Sequence, residues 1–224
     1  MSVLTNVAAP HQETPSVVQR RRVVVIITLV VGAALLGLSL TRRPGDPSFY
    51  WLTFALAAAW AGGAFLSGPL HMGSINWQGR NVRPVLTGAG IGLLVGVVFV
   101  IGGLIVREID PLVEPITRVL AFANQGTLPL IVVITLVNGV AEELFFRGAV
   151  YPALGARHPV LLSTLLYVIV TSASGNPMLG FAAIILGTVC ALERRATGGV
   201  LAPMLTHLVW GLIMVLVLPP MFGL

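Results

Sequence analysis

The stretch LPLIVVITLVNGVAEELFFR, residues 128–147, starts as an apolar run of membrane-crossing length and ends in two adjacent glutamates and an arginine. About 20 predominantly apolar residues cross a hydrocarbon core of roughly 30 Å. Nothing between Leu128 and Val140 is charged. At a rise of about 1.5 Å per residue, Glu142 lies about 21 Å along such a span, roughly 9 Å beneath its far boundary. Each ionised group costs roughly 2.5–3.5 kcal/mol at mid-span and less toward the interface. Three charges there require compensation, a use, or both.

The rest of the chain sets the same environment. Over 224 residues the hydrophobic share is 56% and the charged share 9%, against roughly 25% charged in soluble domains. Mean hydropathy is +0.95. The reading is an all-α, polytopic transmembrane helix bundle of about seven spans, near Val23–Leu40, Phe49–Leu66, Val85–Val106, Leu128–Phe146, Pro159–Ala173, Met178–Leu192 and Gly199–Leu218. The fifth and sixth are short. Residues 1–19 are polar, contain Pro10 and Pro15, and read as a disordered cytoplasmic tail. Residues 20–127 then hold the N-terminal spans and an outer loop, and residues 128–218 the functional core. The first span lacks a small-x-small cleavage pattern and is expected to stay as an anchor.

All 13 basic residues are arginine, set in short clusters between apolar runs. That pattern speaks for topology and against nucleic acid as a partner. With the N-terminus inside, Arg20, Arg21, Arg22, Arg80, Arg83, Arg147, Arg157, Arg194 and Arg195 are cytoplasmic, and only Arg42, Arg43, Arg107 and Arg118 are outside. The expectation is a multi-pass protein of a bacterial cell membrane, N-terminus in the cytoplasm, with lipid as its surroundings. Its oligomeric state is open. Arg107–Gln125 reads as an outer-surface helix or loop. Gly88, Gly92 and Gly96 recur at four-residue spacing, a pattern that brings helix backbones together. The lone Cys190 excludes an internal disulfide and reads as a small packing residue. Trp51, Trp60, Trp77 and Trp210 are expected to include headgroup-level anchors. Ser172 and Ser174 belong to an outer turn and have no base nearby.

Within the charged cluster, Glu143 and Arg147 are four residues apart in the favourable helical order. Glu142 has no such neighbour. An acid of that kind is either a general base or acid working in the membrane, or the solvated end of a helix that stops there. His207 tilts the choice, since it alone of the four histidines falls within a span, about 12 Å from the same boundary. His11, His71 and His158 fall in the tail or loops. An intramembrane histidine also serves as a helix-to-helix hydrogen-bond partner.

Glu142-Glu143-x-x-x-Arg147, followed by TGGVLAPMLTH over Thr197–His207, resembles the CPBP family of intramembrane proteases related to type II CAAX prenyl endopeptidases. The resemblance covers roughly residues 128–218. It implies Glu142 as the general base, Glu143 and Arg147 as its supporting pair, and His207 as a hydrogen-bond donor to the oxyanion. Where the family has a water-activating FxxxH motif this chain has Tyr167-Val168-Ile169-Val170-Thr171, and where it has HxxxN this chain has His207-Leu208-Val209-Trp210-Gly211. Tyr167, Thr171 and Gly211 therefore stand at or beside lost motif positions. The leading expectation is an endopeptidase acting on a peptide or membrane-protein substrate near the cytoplasmic side, without cofactor or metal, there being no HExxH and one histidine in the spans. The alternatives are a catalytically weakened relative that binds a membrane segment or lipidated peptide as a scaffold or immunity-type protein, and a proton or ion pathway through Glu142 and His207.

Overall fold

The computed structural model describes residues 7–9 and 12–224. Residues 1–6, Pro10 and His11 of the expected tail lie outside the described residues. Among the described residues eight helices form the bundle: α1 (Pro15–Leu40), α2 (Pro47–Ser67), α3 (Val85–Val106), α4 (Asp110–Asn124), α5 (Leu128–Ala153), α6 (Pro159–Ser172), α7 (Pro177–Thr197) and α8 (Leu201–Met221). Proline punctuates nearly every start. Pro15, Pro47, Pro111, Pro129, Pro159 and Pro177 all sit in first turns, where no intrahelical donor is lost and φ is already set. Asp46 accepts from Ser48 N–H at 2.8 Å to cap α2, and this bond holds its carboxyl below the usual range.

Among the described residues six helices are long and apolar enough to cross a membrane, all but α4 and α6. At 14 residues, α6 reaches only about 21 Å. The sixth span was expected to be short, ending at Leu192, but α7 continues to Thr197. It does so because Glu193 and Arg194 turn inward and are buried against other helices rather than entering a loop. At the other end of the chain, α1 begins at Pro15 rather than Val23, so Pro15–Gln19 of the expected tail are helical.

The long helices alternate in direction, so one face of the bundle gathers the start of α1 and the α2–α3, α5–α6 and α7–α8 connections. This N-terminal face is knitted by backbone bonds. Val200 N–H donates to His71 O at 2.9 Å, Ser74 N–H to Thr197 O at 2.9 Å, and Ala8 N–H to Arg195 O at 2.9 Å. Gly199 is required here, since a Cβ on it would lie 2.0 Å from Gly73 N. A short antiparallel hairpin, β1 (Ile75–Trp77) with β2 (Arg80–Val82), projects from the same connection. Its two-residue turn, Gln78-Gly79, has both φ angles positive, matching the twist of paired strands. On the opposite face α4 lies across the bundle, tied down by Asn176 Nδ2 donating to Pro115 O at 2.7 Å.

Packing follows the small residues. Cβ atoms on Gly88 and Gly92 would lie 2.5 Å and 2.7 Å from the carbonyl oxygens of Ala202 and Thr206, so α3 meets α8 backbone to backbone. Trp60 is buried, not an anchor: its ring stacks on Phe145 at 4.7 Å and fills the space above Gly32. Trp51 and Trp77 are exposed. Ile26, Val30, Leu86 and Leu94 cover the outer surface with hydrocarbon, which a bilayer solvates and water does not.

Candidate functional site

The charged cluster sits where α5 changes its winding. Phe146–Val150 forms a wider π-type turn, a local feature that recurs at functional sites. Pro152 follows it, and in an α-helical register its ring would crowd the Gly148 carbonyl four residues back. Tyr151 N–H reaches back to Phe146 O, and in that register the donor owed to Arg147 O would come from Pro152, which has no N–H. The orphaned Arg147 carbonyl accepts instead from Arg194 Nε of α7 at 2.9 Å. The next carbonyl, Gly148 O, accepts from Arg21 Nη1 of α1 at 3.0 Å. Arg21 is fully buried and also bonds Ser67 Oγ and Pro69 O and pairs with Glu13. Arg21, Arg147 and Arg194, expected as loop-side topology signals, are thus interior braces.

The predicted site residues separate into two hydrogen-bonded groups on adjacent residues of α5. Glu143 is fully buried, and its Oε1 lies 2.9 Å from both Arg147 Nη1 and His207 Nδ1. Arg147 Nη2 donates onward to Gly187 O at 3.0 Å, and its guanidinium lies over the Tyr167 ring. Glu142 is half-buried, and its Oε2 accepts from the Tyr167 hydroxyl at 2.8 Å. The imidazole therefore bonds to the second glutamate, while the first, expected to lack a partner, has a phenol.

Ring packing fixes these positions. Tyr167 meets Phe146 edge-on at 4.8 Å, and His207 meets Trp210 edge-on at 5.8 Å. Gly139 faces α8, where a Cβ would lie 3.2 Å from Leu208 Cδ2 and in ordinary contact, 3.5 Å, with His207 Cδ2. Thr171 sits one turn beyond Tyr167 and makes no side-chain hydrogen bond to Glu142. Gly211 faces α5, where a Cβ would lie 3.1 Å from Thr135 Cγ2, so a larger residue is crowded by that methyl.

Several buried polar residues were not foreseen. Glu193 is buried with Oε1 2.9 Å from Thr206 Oγ1, and that hydroxyl also lies 2.9 Å from Gly88 O. Thr206 thereby ties α3, α7 and α8 together immediately before His207. The available signal was Gly198, a left-handed residue ending α7; reading the helix up to that stop turns Glu193 and Arg194 from loop charges into helical ones. Cys190 is buried, its thiol 3.6 Å from Pro203 O.

Residues 124–213 match the family model described as Type II CAAX prenyl endopeptidase Rce1-like. Neither a curated protein nor a solved structure matches the chain. The matched stretch contains every residue of the two groups on α5, α6 and α8. On that match, residues 124–213 are similar to the Rce1-like type II CAAX prenyl endopeptidases of the CPBP family, an intramembrane protease kind, and the six long apolar helices among the described residues make this a multi-pass membrane protein.

Proposed function

We propose that the chain is an endopeptidase in which Glu142 activates a water against a peptide bond, close to the N-terminal face, and that this face is cytoplasmic, as the arginine bias favours. The observation that carries the reading is the division of labour between neighbouring carboxylates: Glu143 is held by Arg147 and His207, while Glu142 uses one oxygen on Tyr167 and keeps the other for water. In this reading Glu142 takes a proton from the water as its oxygen bonds the carbonyl carbon. The same carboxyl returns that proton to the amide nitrogen as the C–N bond breaks. With Nδ1 directed at Glu143, Nε2 is the nitrogen of His207 left for the developing oxyanion, to which the doubly protonated ring donates a hydrogen bond. Tyr167, at the phenylalanine position of the missing FxxxH motif, supplies the orienting contact that a histidine at Thr171 would otherwise give. The substrate class is an unmodified peptide segment reaching the inner side of the bilayer.

Co-expression with a library of single-span reporter substrates tests this. Glu142→Gln lowers cleavage by about 10²–10⁴-fold, the range for a general base; equal cleavage by wild type and variant sinks the proposal. Tyr167→Phe keeps the ring against Phe146 and removes one hydrogen bond, with an expected loss of about 2- to 10-fold.

A second reading rests on Thr171 and Gly211 standing where the family's histidine and asparagine would be. A protein that binds a membrane segment without cutting it has no need of either. In that case no reporter is cleaved, and a partner co-purifies equally with wild type and Glu142→Gln.

A further inference from the structure

A cavity of about 400 Å³ opens at the N-terminal face between the start of α6 and the end of α7. His158, Val160, Leu161, Thr164, Thr188 and Arg195 line it, and among the described residues no acidic side chain does. It is separate from the Glu142 and Glu143 groups but close to them: Thr164 lies one turn before Tyr167, and both face Gly187, whose Cβ would meet Thr164 Cγ2 at 3.4 Å. Thr164 Oγ1 is buried and has no hydrogen-bond partner among the described residues. The Thr188 hydroxyl is already used, donating to Ile184 O at 2.6 Å.

The chemistry of this cavity is ordered along α6. At the N-terminal end of that helix are the Arg195 guanidinium, the His158 ring and the positive end of the α6 dipole, with exposed Arg157 beside them. Thr164 lies about 8 Å further along α6 from Pro159. Below that end, exposed Leu161 and Leu165 continue down the outer surface of α6. Negative charge is favoured at the top, a hydrogen-bond acceptor in the middle and hydrocarbon beneath. That is the sequence of groups in a phospholipid read from phosphate through ester to acyl chain.

We propose that this cavity binds one anionic phospholipid, with its phosphate at Arg195 and His158, an ester carbonyl accepting from Thr164, and an acyl chain along Leu161 and Leu165. Basic pockets between spans on the cytoplasmic side are suited to such headgroups. A free anion has no use for the leucine wall, and a zwitterionic headgroup brings its amine toward Arg195. The assignment does not depend on catalysis, because it concerns residues outside the two glutamate groups.

The full chain in nanodiscs of phosphatidylcholine mixed with phosphatidylglycerol, released and weighed by native mass spectrometry, reports the retained lipid directly. Wild type is expected to retain phosphatidylglycerol over phosphatidylcholine. Arg195→Gln lowers that retention about fivefold, as expected for one arginine at an anionic surface, and Arg195→Lys keeps most of it. Thr164→Val, close in volume, gives a smaller loss and serves if Arg195→Gln does not yield a monodisperse protein. Equal retention of the two lipids overturns the proposal. So does unchanged retention in both Arg195→Gln and Thr164→Val. Inorganic phosphate supplies the last arm: displacement of phosphatidylglycerol by phosphate as effectively as by a soluble short-chain phosphatidylglycerol marks a site for the free ion and rejects the lipid.

Discussion

The two halves of the bundle are built on different principles. Toward the N-terminal face, α3 and α8 touch backbone to backbone at Gly88 and Gly92, and the interior holds Arg21, Glu143, Arg147, Glu193 and Arg194, all buried. Toward the opposite face the helices separate. There α3, α4, α7 and α8 surround an apolar cavity of about 310 Å³ bordered by Phe99, Gly102, Phe181, Trp210 and Met214. Close packing and buried charge occur together for a reason. A charge in a low-dielectric interior is tolerated only with its partners in good geometry, and good geometry requires backbones that do not shift. The opposite half buries no charged side chain among the described residues, so no such requirement acts on its interior, where the helices enclose that apolar cavity. Trp210 joins the halves, since it borders the cavity and packs its ring edge-on against His207.

The sharpest way to break this contrast is to unbalance the charged half. Arg147→Met preserves much of the side-chain volume but leaves the Glu143 carboxylate buried with His207 alone and removes the bond to Gly187 O. The expected destabilisation is about 3–5 kcal/mol, the cost of stranding one partner of a buried pair, read as a lowered unfolding midpoint in detergent. A variant as stable as wild type shows that water reaches Glu143, and the dry, braced interior is then wrong. A smaller effect is expected from Gly92→Ala. Its Cβ meets Thr206 O at 2.7 Å and Thr206 Cα at 2.9 Å, both backbone atoms, so α3 must move off α8. Overpacking of this kind costs about 1–3 kcal/mol. Because Thr206 precedes His207, cleavage by the same variant is expected to fall as well.

Much of the bundle was legible because one physical rule dominates it: apolar runs of span length, started by proline, are helices in a membrane. Glu142, Glu143, Arg147 and His207 stood out because charge within such runs is expensive. What the sequence left open has equally physical reasons. Whether His207 contacts Glu142 or Glu143 depends on helix rotation, and the π-type turn at Phe146–Val150 changes rotation within the very motif. The partner of Glu142 is a tyrosine 25 residues away on α6, a pairing set by how α6 leans on α5 and carried by no local spacing. Arg21 and Arg194 read as topology signals because clustered arginines at span ends usually are; what draws them inward is the pair of carbonyls at Arg147 and Gly148, freed where α5 changes its winding ahead of Pro152.

The smallest expected effect is also the one that isolates packing from chemistry. Gly102 lies on α3, as Gly92 does, but borders the apolar cavity, and a Cβ on it would have no atom within 4 Å. Gly102→Ala therefore adds a methyl group where there is room and replaces a residue that weakens helices, with an expected gain of up to about 1 kcal/mol. The same glycine-to-alanine change should thus have opposite signs at two positions of one helix. Unfolding midpoints of the two variants in the same detergent decide it. If Gly102→Ala is as damaging as Gly92→Ala, the half of the bundle away from the charged cluster is packed as tightly as the half that holds it, and packing no longer explains why the charges sit where they do.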